Sequence, residues 1–338
     1  MRLLRPIADR SGAKPLVSPG LMRVLRLAFL VLAVGLSVYA VATRWDQVVV
    51  DVHRIGWVRV LVCVPAMLGG LVCGMLSWRA VLAGLGSPLA RKDAARIYFV
   101  GQLGKYVPGS VWPVLAQMEL GRDHQIPRRR SAGALFIAVV LSLTTGLIVA
   151  GLTVPFVTGH RHPALWWLLA LVPLLSPLLV SRVLLGCLRR LPVVDLGSAL
   201  PAAMPGRAMG AAVAWSTLGW LSYGVHVAVL AGAFPSGGAA SLVVASIGGY
   251  PLAWAAGMIA FMLPAGAGAR DVTIVLALSA VVPTNSAIAA AVVSRAVTTA
   301  CDLGLAGTAA VGARSASRRR AADTAPDPRP VPVAVQDS

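Results

Sequence analysis

Long apolar runs alternate along this chain with short blocks that are rich in arginine. Six of these runs come close to the roughly 20 residues that a helix needs to cross a bilayer. The six predicted spans are 24–42, 58–83, 132–155, 164–186, 208–233 and 287–312. The pattern predicts an all-α polytopic membrane protein with about eight membrane helices, including two broken, re-entrant helical hairpins.

The first broken segment is 94–120, which is apolar but contains Gly104, Pro108, Gly109 and Pro113 near its middle. Proline lacks a backbone donor and clashes with the preceding turn, so a straight helix cannot pass through Pro108. Basic residues flank both ends, and a hairpin that enters and leaves on the cytoplasmic side keeps both clusters inside. The alternative is an ordinary interfacial loop between two helices.

The second broken segment comprises apolar residues 240–263, a break from Pro264 to Asp271, and apolar residues 272–283. It follows an outer turn and precedes a final span that ends inside. We therefore expect it to begin and end outside, as a hairpin or as two crossings. Two helix–break–helix units of opposite orientation suggest an inverted repeat, and broken segments of this kind mark the binding sites of transporters.

The composition also indicates a membrane protein. Of the 338 residues, 57% are hydrophobic and 12% are charged, whereas soluble domains carry about a quarter charged residues. The net charge of +18 lies in short loops, where it sets topology and contacts anionic lipids, so we expect no nucleic-acid partner. The charge pattern predicts a multi-pass protein of the cell membrane with both termini cytoplasmic. We divide the chain into a basic cytoplasmic tail (1–23), a transmembrane domain (24–312) and a disordered cytoplasmic tail (313–338).

We identify no catalytic or metal-binding constellation in the sequence. It has no Walker A motif, no HExxH and no nucleophile elbow. The four cysteines, Cys63, Cys73, Cys187 and Cys301, form no CxxC pair. We therefore expect free, buried thiols, no metal and no cofactor, and we treat enzymatic activity as the less favoured interpretation.

The first candidate site is the break around Lys105. Residues after Pro108 would start a new half-helix, whose exposed N–H groups and positive dipole end favour an anion. Lys105 adds a cation that suits a phosphate oxygen, although the alternative is that it only snorkels to the interface. Glu119 would be a counter-ion or an interface residue. The candidate substrate-binding residues of this segment are Gln102, Gly104, Lys105, Tyr106, Pro108, Gly109, Ser110, Trp112 and Glu119.

Charged residues in the second break and in the last span form two further candidates. Asp271 fits the first turn of a helix, and Arg270 would either neutralise it or reach a lipid phosphate; the alternative is a short extramembrane turn with an ordinary ion pair. Arg295 and Asp302 share one helix face, and Arg295 is expected to pair across helices with Asp271 or to act as structural glue. His226 is expected to be a hydrogen-bonded core residue. The candidate substrate-binding residues here are Pro264, Gly266, Gly268, Arg270, Asp271, Arg295 and Asp302.

At these motifs the chain resembles the lysylphosphatidylglycerol synthase transmembrane (flippase-like) family. The resemblance covers roughly residues 24–312 and implies a bacterial or archaeal membrane protein that moves, or helps to move, lipids with anionic or aminoacylated headgroups, or polyprenyl-linked sugars. Two features depart from the family: Ala265 and Asp271 stand where Gly and Glu are usual, and we expect no soluble aminoacyl-transferring domain and no synthase activity. The matching residues are Gly104-Lys-Tyr-Val-Pro-Gly-Ser-Val-Trp112, Leu263-Pro-Ala-Gly-Ala-Gly-Ala-Arg-Asp271, and Ser294-Arg295 with Asp302.

The favoured hypothesis is a lipid translocase in which Lys105, Arg270 and Arg295 bind a headgroup between the two broken units. Its expected partners are membrane lipids with phospholipid or polyprenyl-phosphate headgroups. One alternative is a non-transporting accessory protein or scaffold of a membrane glycosyltransferase or lipid-modifying enzyme. The other is a transferase that uses a polyprenyl phosphate, for which Glu119 and Asp271 would be the candidate carboxylates.

Overall fold

The computed structural model describes residues 45–107, 112–158, 163–190, 201, 203–259, 266 and 268–323. Within these residues helix is the only regular secondary structure, which confirms the all-α fold. The helices are α1 (Trp45–Gly84), α2 (Arg91–Gln102), α3 (Trp112–Arg122), α4 (Arg128–Thr158), α5 (Leu171–Leu175), α6 (Ser181–Arg190), α7 (Gly206–Ala231), α8 (Ala239–Ile259), α9 (Ala269–Leu278) and α10 (Thr284–Asp323). Short 3-10 helices cover Leu103–Tyr106, Pro163–Ala170 and Ser176–Leu179. The predicted first span, 24–42, and the predicted tail, 1–23, lie outside the described residues.

Five of the described helices are long and apolar enough to cross a membrane, namely α1, α4, α7, α8 and α10. Four of them correspond to the predicted spans 58–83, 132–155, 208–233 and 287–312, and α8 corresponds to the first half of the second broken segment. The chain is therefore a polytopic helical membrane protein, as the hydrophobic pattern predicts.

Residues 164–186 do not form the straight span that their apolar pattern predicts. They form short 3-10 and α-helical pieces, and the halves Trp166–Leu179 and Ser181–Cys187 meet at 93°. Pro173 and Pro177 account for the difference, because each removes a backbone donor from the helical ladder. Together the two pieces are long and apolar enough to make one broken span, so the predicted fourth span is bent and its crossing of the membrane stays a prediction.

The last helix is longer than the apolar pattern predicts. The sequence places its end at Gly312, whereas α10 continues to Asp323. Residues 313–323 of the predicted disordered tail are therefore helical, and residues 324–338 lie outside the described part of the chain.

The first helix carries a kink at Gly56, whose φ of 67° is in the left-handed region. Only glycine adopts this conformation without steric cost, so Gly56 permits a change of direction between two helical pieces. The piece before Gly56 packs against the start of α10, where the Ser286 hydroxyl donates to a carboxylate oxygen of the buried Asp51 at 3.1 Å.

Both broken segments consist of two helical pieces that pack against each other. In the first, α2 has 12 residues and α3 has 11, so each is about 16–18 Å long and too short to cross a hydrocarbon core of roughly 30 Å. In the second, the long helix α8 is followed by the ten-residue α9. The helix–break–helix form of both units agrees with the prediction, and their orientation across the membrane stays a prediction.

The helices around the centre of the bundle meet at glycines. Gly70 and Gly74 on α1 leave room for the ring of Tyr223 and the hydroxyl of Tyr98, as expected for small residues at a membrane helix contact. Gly224 on α7 lies against α8, where an added Cβ would come within 2.5 Å of the Cα atom of Ile247.

Gly224→Ala is expected to destabilise the protein by about 1–3 kcal/mol, because backbone atoms cannot move aside for the extra methyl group. Gly210→Ala on the same helix is the matched control, since an added Cβ there meets nothing within 4 Å. Cys63, Cys73 and Cys301 are buried as predicted, whereas Cys187 is exposed and the prediction was wrong for it. Once Cys187 has been blocked, labelling of the three buried thiols with a thiol-reactive dye during heating would report the unfolding temperature. Equal unfolding temperatures for the two variants would contradict the close contact of α7 with α8.

Candidate functional site

A cavity of about 260 Å³ lies at the centre of the described helices. Its walls come from α1, α2, α4, α7, α8, α9 and α10, together with the 3-10 turn Leu103–Tyr106 and Gly266 of the second break. The two broken units thus meet at one cavity, although 94–120 and 240–283 are far apart in the sequence.

Charged side chains line this cavity inside an otherwise apolar bundle. The lining includes three cations, Lys105, Arg270 and Arg295, and one carboxylate, Asp302. These four side chains carry a formal charge of three minus one, or +2. Arg270 and Arg295 lie close enough to Lys105 to repel its charge, and placing ions in such a segment is expensive enough to favour a functional role.

Lys105 and Tyr106 both contact Asp302 across the cavity. Lys105 Nζ lies 2.6 Å from Asp302 Oδ2, and the Tyr106 hydroxyl donates to the same oxygen at 2.6 Å. Asp302 has 4% of its side chain exposed, and Lys105 has 28% exposed. This cluster joins the turn of the first broken unit to α10, and the sequence analysis did not predict the pairing.

Arg270 rests on a tyrosine stack. Its guanidinium carbon lies 4.6 Å from the centre of the Tyr250 ring, and one of its N–H groups donates to the Tyr250 hydroxyl. Tyr250 stacks on Tyr223 with 4.8 Å between ring centres. These contacts are with neutral groups, so they do not themselves cancel the positive charge of Arg270 at the cavity wall.

The second break is held by its glycines and by a helix cap. Gly266 has a φ of 66° and approaches α8 so closely that an added Cβ would lie 2.7 Å from the Cα atom of Gly257. Asp271 accepts a hydrogen bond from the backbone N–H of Gly268 at 3.1 Å, so it occupies the first turn of α9 as predicted. The pairing of Arg295 with Asp271 stays a prediction.

Not all candidates from the first broken segment reach the cavity. Gln102, Lys105 and Tyr106 line it, whereas Gly104 packs against the backbone of Trp112 and Pro113. Trp112 is exposed over about half of its surface.

Glu119 lies on an exposed surface, where it pairs with Arg122 at 2.8 Å and with Arg128 at 3.4 Å. It is therefore not brought to the cavity. Pro108, Gly109, Ser110 and Pro264 lie outside the described residues.

Aromatic and hydroxyl side chains complete the lining, and the sequence analysis missed them. The lining residues of these two kinds are Tyr98, Phe99, Trp220, Tyr223, Trp254, Ser142, Ser216, Thr298 and Thr299. The sequence does contain a hint of an aromatic wall. Membrane aromatics usually concentrate at the interfaces, whereas four lie within the spans, namely Trp220, Tyr223, Tyr250 and Trp254.

His226 lies outside the cavity lining. It is fully buried, and its Nδ1 and Nε2 atoms lie 3.2 Å from the Cys63 carbonyl oxygen and 3.0 Å from the Ser294 hydroxyl. This confirms the prediction of a hydrogen-bonded core residue.

The long apolar helices and the charged central cavity define an integral membrane protein with a built polar site inside its helical bundle. Residues 23–306 match the family model described as the lysylphosphatidylglycerol synthase TM region. The chain therefore belongs to this family, which confirms the resemblance carried by its motifs. No curated protein matches the chain significantly.

Proposed function

We propose that this protein binds the anionic headgroup of a membrane lipid in the central cavity and moves it across the cell membrane. The observation that carries the proposal is the convergence of Lys105, Arg270 and Arg295 from three separate elements on one cavity. A planar guanidinium suits the oxygens of a phosphate. A net positive charge in a poorly solvated site attracts such an anion more strongly than the same charge would in water.

The size of the cavity favours a headgroup over a whole lipid. Sites for drug-sized ligands occupy about 300–1,000 Å³, and this cavity of about 260 Å³ holds a phosphate ester without its acyl chains. The acyl chains would stay in the surrounding bilayer.

The depth of the cations supports a transport site. Arg295 lies 11 positions after Thr284, the first residue of a membrane-spanning helix, so it is about 16 Å along that helix. Arg295 thus lies well inside the apolar stretch Thr284–Gly312, away from both of its ends. Movement of the two broken units against each other would expose such a site to the two sides in turn.

Reconstitution of the purified chain into vesicles that contain a fluorescent phosphatidylglycerol tests the proposal. An impermeant quencher reaches only the outer leaflet, so fluorescence of the inner leaflet is lost only as the lipid moves outward. Wild-type protein is expected to make this loss faster than in protein-free vesicles. Vesicles with the protein but without faster transfer would contradict transport. Stable copurification with a membrane glycosyltransferase, together with that result, would favour the accessory role.

The contacts of the carboxylates favour a translocase over a polyprenyl-phosphate transferase. A transferase would need an available acidic side chain, but Glu119 is held in exposed ion pairs. Asp271, the other candidate carboxylate, caps α9.

Tyr250→Phe is expected to raise the KM for the anionic lipid about tenfold to a hundredfold, with a smaller effect on kcat. The phenylalanine ring keeps the stack with Tyr223, but it loses the hydroxyl that receives a hydrogen bond from Arg270, and a hydrogen bond to a charged group contributes about 1.5–3 kcal/mol. Tyr250 is thus a positioning residue, and Tyr250→Ala should raise the KM further. The transfer assay at several lipid fractions measures both constants, and a fall in kcat alone would contradict positioning of Arg270.

A further inference from the structure

The cations of the cavity have unequal partners. Asp302 balances the charge of Lys105 at 2.6 Å, whereas Arg270 contacts the neutral ring and hydroxyl of Tyr250. The cationic contribution of Lys105 to ligand binding therefore depends on what happens to Asp302.

The Asp302 carboxylate uses the same donors that a phosphate would use. Its Oδ2 atom receives both the Lys105 ammonium and the Tyr106 hydroxyl. A phosphate oxygen accepts hydrogen bonds from these same two groups. Because Asp302 is 4% exposed, its attraction to Lys105 is weakly screened by water.

We propose that Asp302 is an internal competitor for the anionic headgroup, so that its carboxylate and the phosphate bind Lys105 and Tyr106 alternately. This inference rests on the proposed function and assigns Asp302 the role of setting affinity. Arg270 supplies the attraction that brings the phosphate in, and Asp302 promotes its release by recapturing Lys105.

The placement of the three residues links this exchange to movement. Lys105 and Tyr106 belong to the 3-10 turn of the first broken unit, and Asp302 belongs to α10. A phosphate that takes over Lys105 and Tyr106 removes two contacts between that unit and α10. Headgroup binding therefore weakens the attachment of the broken unit to the last helix. The ligand then favours one arrangement of the two elements over the other.

Charge arithmetic on the pair makes the proposal testable. Lys105 and Asp302 sum to zero in the wild type, to −1 in Lys105→Gln, to +1 in Asp302→Asn, and to zero again in the double variant. We expect Asp302→Asn to bind a phosphate ester about tenfold more tightly and Lys105→Gln about tenfold more weakly. The double variant should stay within about threefold of the wild type. In transport, Asp302→Asn should lower both KM and kcat, because release becomes slow.

The experiment uses the full chain in phosphatidylcholine nanodiscs and measures binding by calorimetry, with two probes in separate arms. One probe is soluble sn-glycerol 1-phosphate, and the other is phosphatidylglycerol built into the nanodisc at increasing fractions. If Asp302→Asn binds most tightly and Lys105→Gln most weakly with the soluble probe, the site accepts phosphate esters in general. If that order is seen with the lipid probe alone, the site accepts a headgroup presented by the bilayer. Asp51→Asn is the matched control, because it neutralises another buried carboxylate that does not line the cavity, and it should leave both affinities unchanged.

Three results would overturn the competition. The first is that Asp302→Asn binds the probe with the same affinity as the wild type. The second is that the double variant binds as weakly as Lys105→Gln. After either result the proposed function would still stand if Arg270→Ala abolishes binding. The third is wild-type protein that binds neither probe, which overturns the proposed function as well. Size-exclusion profiles and unfolding temperatures equal to those of the wild type identify the variants that have folded.

Discussion

Arg270→Ala is expected to reduce the transfer of an anionic lipid by about a hundredfold or more. Arg270 lines the cavity, and its described hydrogen bond is to the neutral Tyr250. Removing one partner of a buried charge pair costs about 3–5 kcal/mol, because the remaining charge is left without compensation. If the phosphate of the bound headgroup is the charge that loses its partner, a cost of this size slows transfer by a factor of at least 10².

The assay is the quenching of fluorescent phosphatidylglycerol in vesicles, with protein amounts matched. Arg122→Ala is the control, because it removes an arginine that is exposed and paired with Glu119 outside the cavity, and it should keep the wild-type rate. Arg270→Lys is expected to fall between the two, since lysine keeps the charge but loses the planar fork and the stacking on Tyr250. Transfer by Arg270→Ala at the wild-type rate would refute the assignment of Arg270 as a headgroup ligand.

Gly104→Ala is expected to produce the second large effect, a loss of transfer that accompanies a destabilisation of about 1–3 kcal/mol. An added Cβ at Gly104 would lie 2.6 Å from the backbone nitrogen of Pro113 and 2.7 Å from the carbonyl carbon of Trp112. Backbone atoms cannot rotate away as a side chain can, so α3 must shift relative to the turn that carries Lys105. A shift of about 1 Å in a binding group can lower a rate by two orders of magnitude.

The measurement combines transfer in vesicles with the unfolding temperature from thiol labelling. Gly304→Ala is the matched control, because an added Cβ there meets nothing within 4 Å and alanine is the better helix former. The control should unfold at or slightly above the wild-type temperature and transfer lipid normally. Normal transfer by Gly104→Ala would show that the turn tolerates a displaced α3.

The candidate residues that the sequence identified are those whose chemistry is unusual for their surroundings. Lys105, Arg270, Arg295 and Asp302 are ions within or beside apolar segments, where an ion without a role is costly, and the structure places all four at one cavity. Glu119 was selected for the same reason, but it lies among exposed arginines. Proximity in the sequence to a broken segment did not determine whether its side chain pointed inward.

The pairing of the ions was not accessible from the sequence. Asp302 and Lys105 are separated by almost 200 positions, and the sequence offered Asp271 as a partner for Arg295 without a candidate partner for Asp302. The aromatic wall was missed because a tryptophan or tyrosine in a span is compatible with lipid, core or ligand contact. Only the packing of α7 against α8 places Tyr223 on Tyr250 at 4.8 Å.

What the sequence by itself determined is the class of the protein, the position of four of the long spans that the structure describes, and the two breaks. These properties follow from local chemistry, because apolar length sets membrane crossing and proline and glycine interrupt a helix wherever they occur. The tertiary structure alone decided which ions share a cavity, that Lys105 binds Asp302, and that Arg270 rests on Tyr250. Those contacts join elements that are far apart in the chain, and their distances depend on how closely whole helices approach one another.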